Sequence, residues 1–137
     1  MFNTVLFSID QSREAQEAVA TVANIVKTYK SRLVLLSVVE KEETKETLPD
    51  AKIMTSTEAV AQLLQQAQEL FALKGVETEI IERSGVPSFT ICDVADEINA
   101  NLIVMGCRGL GLTQAGAVES VTNRVINLSP CPVLIIP

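Results

Sequence analysis

The chain has no histidine and no tryptophan, a single tyrosine, and only three cysteines among 137 residues. Without histidine there is no Ser-His-Asp triad, no His–zinc site and no imidazole base working near neutral pH. Cys92, Cys107 and Cys131 are odd in number and fit neither Cys-x-x-Cys nor a zinc-ligand spacing. That excludes a disulfide framework, and no metal centre is expected. Positive charge is also scarce: 11 Lys and Arg stand against 17 Asp and Glu, for a net charge of −6. With no basic stripe and no interleaved aromatics, binding to a nucleic-acid backbone lacks its electrostatic basis. No apolar run approaches the ~20 residues that span a bilayer, and Met1-Phe2-Asn3 opens without a basic, then apolar, leader. A cytoplasmic location with no membrane partner is the expectation.

Apolar residues, by contrast, are plentiful, at 47% of the chain. One well-filled core over residues 1–137, hence a single domain, is expected at this length. Thr4-Val-Leu-Phe-Ser-Ile9 is a nearly continuous apolar run, as in a strand covered on both faces. Ser12 is a candidate N-cap for a helix whose apolar face runs through Ala15, Ala18, Val19, Val22, Ile25, Val26 and Tyr29. Arg32 to Val39 reads as a second buried strand, and the charged Glu40–Asp50 stretch as a solvated loop. A second helix is predicted from about Met54 to Lys74, with Val60, Leu63, Leu64, Ala67, Leu70 and Phe71 inward and Gly75 as its stop. Val76 to Arg83 alternates like a strand. Pro87 suits the first position of a third helix carrying Ile91, Val94, Ala95 and Ile98 on one face. Leu102 to Met105 is a fourth strand. Val118, Val121, Val125 and Leu128 mark a fourth helix that Pro130 helps to end, and Pro132 to Ile136 closes the chain as a strand.

Five strands alternating with four helices imply right-handed βαβ crossovers. The expected fold is a doubly wound α/β domain: a five-stranded parallel sheet in the order 3-2-1-4-5, with helices on both faces. In that order the first and fourth strands lie side by side, their C-terminal ends form the topological switch point, and Asp10 and Gly106 face one crevice.

The stretch from Leu102 to Val121 carries the chemistry. An apolar strand runs into a loop containing Gly106, Gly109, Gly111 and Gly116, and then into a helix start. Glycines let backbone N–H groups approach phosphate oxygens closely, and a helix N-terminus adds unpaired donors and about half a positive charge. The pattern suggests a nucleotide. It is neither a P-loop, since Gly-x-x-x-x-Gly-Lys is missing, nor the dinucleotide fingerprint, since Gln114 stands where that pattern needs glycine or alanine. The loop has no lysine. Arg108 is its nearby cation, so a triphosphate would rely on backbone N–H groups and Mg²⁺ for charge neutralisation.

Taken together, Val5-Leu-Phe-Ser-Ile-Asp10, Leu35-Leu-Ser-Val38, Leu102-Ile-Val-Met-Gly106-Cys-Arg-Gly109, Ser120-Val-Thr-Asn-Arg-Val125 and Ser129-Pro-Cys-Pro-Val-Leu-Ile-Ile136 resemble the universal stress protein family over essentially the whole chain. The resemblance implies a small cytoplasmic α/β protein, commonly a homodimer joined through its C-terminal strand. ATP-binding members carry Gly-x-x-Gly, nine further residues, then Gly-Ser or Gly-Thr. Gly106 and Gly109 match that pattern and so does Ser120, but Glu119 stands in place of the second glycine. By resemblance, Asp10 and Val38 line the adenine and ribose end of an ATP or AMP site. Met105, Gly106, Arg108 and Gly109 wrap the ribose and phosphates, and Ser120, Val121 and Thr122 hold phosphate oxygens, with Mg²⁺ accompanying ATP.

Two readings of Glu119 stand side by side. An acid in the first helical turn complements the helix dipole by roughly 0.3–1 kcal/mol without touching a ligand. Alternatively its charge repels phosphate and weakens ATP binding. Asp10 is read as a hydrogen-bond acceptor for a ribose or adenine edge, or as a turn former. Cys107, beside Arg108, is a candidate redox-sensitive thiol, whereas Cys92 and Cys131 read as core filling and Arg124 as a surface residue. The absence of histidine, of a nucleophile–base pair and of a P-loop lysine disfavours an enzyme and leaves no catalytic residue to name. The functional expectation is a dimeric stress-response regulator with an adenine-nucleotide crevice weakened by Glu119. The alternatives are a slow, autophosphorylating ATPase and an interaction module without nucleotide.

Overall fold

The computed structural model describes residues 1–9, 13–40, 57–106 and 115–137, with side chains throughout except at 13–17, 40 and 115–120. In chain order the described elements are β1 (Thr4–Ser8), α1 (Arg13–Tyr29), β2 (Arg32–Glu40), α2 (Thr57–Leu73), β3 (Thr78–Gly85), α3 (Pro87–Glu97), β4 (Leu102–Gly106), α4 (Ala115–Leu128) and β5 (Val133–Ile136). The sheet is parallel throughout and ordered β3-β2-β1-β4-β5, as expected from the sequence. Ser12, Met54 and the loop beyond Glu40 lie outside the described residues. No helix among those described is long and apolar enough to cross a membrane.

Strand periodicity decides which helices cover which face. Val5, Phe7, Leu33, Leu35 and Val104 point to one side, where Val19, Val22 and Val26 of α1 and Val60, Leu64 and Phe71 of α2 meet them. Leu6, Val34, Leu36, Val38, Ile103 and Met105 point to the other, beneath Ile91 and Val94 of α3 and Val125 of α4. The first core is pinned by Phe7 against Phe71, edge to face with centroids 6.1 Å apart. Such a geometry adds about 0.5–1.5 kcal/mol beyond burial of the rings.

β1 and β4 are clamped together at their starts by one residue. The Asn101 amide N–H donates to the Thr4 carbonyl at 2.8 Å, and the Asn101 side-chain oxygen accepts from the Thr4 N–H at 2.8 Å. The pairing continues as Val5 with Leu102, Leu6 with Ile103 and Phe7 with Val104. At the outer side of the sheet Arg32 and Glu79 join the starts of β2 and β3 in a bidentate pair, about half exposed.

Helix ends explain where the strands begin. Val76 donates to the Phe71 carbonyl and Gly75 to that of Ala72, with Gly75 at φ +76°, which is the Schellman arrangement. Because Val76 is consumed by that closure, β3 starts at Thr78, not Val76, and runs on to Gly85 opposite Glu40. Pro132 has no N–H to give, so β5 starts at Val133, although the Pro132 carbonyl accepts from Ile103. Pro87 does occupy the start of α3, where a missing N–H costs nothing. Three residues assigned to inward faces are exposed instead: Leu70, Leu128 and Tyr29, the last lying edge-on against the ring of Phe2. Each lies in the last turn of its helix, and Leu70 is turned away from the face that buries Ala67 and Phe71.

Candidate functional site

Between β1 and β4 the order of strands reverses, and in open α/β sheets ligands bind outside the strand C-termini at such a point. The end of β1 is held firmly. Ile9 donates its N–H to the Leu36 carbonyl at 2.9 Å, and its own carbonyl accepts from the wholly buried hydroxyl of Ser37 at 3.1 Å. The chain leaving β1 toward residue 10 therefore departs from a fixed place beside β2.

Val38 and Met105 are buried on the α3/α4 side of the sheet and belong to one contiguous cluster, into which Val121 of α4 also packs. Gly106 ends β4 opposite Ile136, half-buried, and Thr122 is half-buried on α4. Of the residues singled out from sequence, Val38, Met105 and Val121 are thus brought together beneath the switch point, with Gly106 at its rim. Ser120 falls within α4. Asp10, Arg108 and Gly109 lie outside the described residues, as does Cys107.

The floor is apolar, the rim is a strand end without a Cβ, and the described residues contain no group of three or more acids or thiols placed to hold a metal. Cys92 is a core thiol, as expected, whereas Cys131 is half-buried and packs against the same cluster from its edge; burial pushes both above the usual thiol range. Arg124 is exposed on α4.

A family model described as the universal stress protein family matches residues 1–137. The chain belongs to this family. It is 61% identical over 137 residues to the universal stress protein Sll1654 of Synechocystis, covering all of this chain and 87% of that one. Among solved structures it resembles the universal stress protein UspA from Lactobacillus plantarum, with a TM-score of 0.80 at 25% identity over 99% of this chain and 98% of that one. It also resembles a universal stress protein solved in complex with cAMP, with a TM-score of 0.77 at 25% identity over 99% and 97% of the two chains.

For a universal stress protein of this shape, three residues toward the C-terminal end of the sheet escaped the sequence reading. Ser37 was visible only as the one polar residue inside an apolar run, the mark of a buried group with a dedicated partner. Gly85, two residues before the helix-starting proline, has φ +151°, and a Cβ there would meet the Thr90 hydroxyl at 2.7 Å. Ser88, in the first turn of α3, is 1% exposed, and its hydroxyl has no hydrogen-bond partner. No spacing or composition signal announces it.

Proposed function

We propose that this universal stress protein is a stress-response regulator that binds an adenine nucleotide, ATP or AMP, in the crevice at the ends of β1 and β4. The observation that carries the reading is that Val38 on β2 and Met105 on β4 share one apolar cluster on the same face of the sheet, on the two strands that flank β1, beside the point where strand order reverses. A purine and its ribose fit an apolar floor of this kind, while Gly106 leaves room for the backbone to approach the sugar and phosphates. The start of α4 faces the same end of the sheet and supplies the positive end of a helix dipole.

In this reading Asp10 and Val38 hold the adenine and ribose end, Met105, Gly106, Arg108 and Gly109 enclose the ribose and phosphates, and Ser120, Val121 and Thr122 bind phosphate oxygens. Mg²⁺ would arrive with ATP and share its charge with Arg108. The related universal stress protein that holds cAMP supports the adenine preference. Residues 1–137 act as one unit, working in the cytoplasm.

The same protein is proposed to work as a homodimer. β5 is an edge strand, every one of its four residues is only half-buried, and none carries charge. Unpaired edges of this kind invite a second strand, and a two-fold axis along β5 satisfies both copies at once.

The test is direct: small molecules released from freshly purified native protein are identified by mass spectrometry, and the emptied protein is titrated with AMP and with Mg-ATP by calorimetry. An adenine nucleotide in the released fraction, or saturable heat with either ligand, is expected. No nucleotide and no heat at millimolar ligand overturns the reading.

A further inference from the structure

The outer face of α3 carries charge of one sign and sets it against the helix dipole. Asp93, Asp96 and Glu97 are exposed, the last turn holds no base, and the first turn contains no acid. A helix gains from the reverse arrangement, acids at its start and bases at its end, because its C-terminus carries about half a negative charge. Arg83 of β3 neutralises Glu97 at 3.1 Å, and among the described residues Asp93 and Asp96 take part in no ion pair.

Apolar surface adjoins these acids. Val86 and Phe89, at the start of the same helix, are 40% and 51% exposed, while Ser88, Ile91, Cys92, Val94 and Ala95 fill the buried face. The spacing Val86, Phe89, Asp93, Asp96 puts all four in a single stripe on the side away from the sheet, since residues three and four apart are neighbours on a helix surface. The stripe is about 15 Å long at the helical rise per residue. It is apolar at one end and acidic at the other.

We infer that this stripe docks a cationic amphipathic helix of a partner protein, with an aliphatic side chain seated against Val86 and Phe89 and lysines or arginines against Asp93 and Asp96. A straight stripe of this length matches one face of a three-turn helix, whose residues repeat the same spacing. Charge complementarity selects the occupant. An anionic membrane or a nucleic acid carries the same sign as the stripe, and a second copy of this chain, at net charge −6, is repelled as a whole. A cation held at Asp96 also offsets the unfavourable field at the end of α3, so the bound helix regains stability that the free one forgoes. The inference is independent of the nucleotide reading and uses no residue of the crevice.

The probe is a three-turn synthetic helix of leucine and lysine, titrated into isotope-labelled protein and followed by NMR, with control peptides in which serine replaces every leucine or glutamate every lysine. Amide shifts centred on residues 86–97 are expected with the leucine–lysine helix alone, at an affinity that weakens as salt is raised. Asp93→Asn with Asp96→Asn is expected to weaken binding about three- to tenfold, the range of two exposed ion pairs, and Phe89→Ser about fivefold or more. All three positions are on the surface, so the variants keep the fold. Shifts centred elsewhere on the chain, equal binding of the serine peptide, or unchanged affinity in both variants overturns the inference. A smaller particle for Phe89→Ser than for wild type in light scattering means that the face covers a second copy, which overturns it as well. Each of these outcomes leaves the crevice reading as it stands.

Discussion

The buried hydroxyl of Ser37 on β2 donates to the carbonyl of Ile9 just beyond β1, 28 residues earlier in the chain. Two neighbouring strands are thereby tied at the one end of the sheet where the crevice opens. Ser37→Ala removes that bond in a site closed to water, and a loss of about 1–2 kcal/mol is expected from urea denaturation. A neutral substitution would mean that the Ile9 carbonyl is satisfied equally well without the hydroxyl.

Residue 119 is Glu, where the resemblance described above implies glycine in ATP-binding members. A unit charge about 4 Å from a phosphate, at an effective dielectric near 20, costs about 4 kcal/mol, or roughly a thousandfold in affinity. Glu119→Gly is expected to tighten Mg-ATP binding by up to that factor and AMP binding by less, since AMP carries a shorter phosphate chain. Equal calorimetric affinities for the two proteins would assign Glu119 to the helix dipole alone.

Three helices end in the same left-handed turn, at Lys30 (φ 53°), Gly75 (φ 76°) and Asn99 (φ 54°). Only one of these positions uses glycine, the residue that adopts this conformation without a Cβ penalty. Lys30→Gly is expected to raise stability by up to about 1 kcal/mol, and Gly75→Ala to lower it by about 1–2 kcal/mol. Thermal melts of the two variants against wild type decide the matter by sign alone.

The thiols of Cys92 and Cys131 are raised in the folded protein, chiefly by burial. The native state therefore keeps protons that the unfolded chain gives up above the ordinary thiol pKa of about 8.5. Stability from this source is complete below that pH and falls as pH rises beyond it. The urea midpoint of the wild type is expected to drop more steeply between pH 8 and 10.5 than that of Cys92→Ala. Parallel profiles would show that the thiols do not contribute.

Strand order was legible in the sequence because the apolar runs at residues 4–9, 32–39 and 102–105 are continuous enough to demand cover on both faces, and the intervening helical periodicities supply that cover. The site was less legible, since chemistry at a sheet end depends on contacts far apart in sequence. Val38 and Met105 could be named only through resemblance; their shared face follows from strand alternation once register is known. Ser37 and Ser88 look like ordinary strand and helix serines in one dimension. Their significance comes from burial, which only the packed sheet and helices produce. The start of β3 was misplaced by two residues because a helix-closing hydrogen bond competes with strand pairing for the same Val76 amide.

The two borders of the sheet are unlike. β3 presents Glu79, Glu82 and Arg83 to solvent, whereas β5 presents only aliphatic side chains. Charged borders resist strand-to-strand growth. If two copies join along their aliphatic borders as proposed, the combined sheet terminates at both ends in ionic rows, which closes the particle and disfavours a fibre.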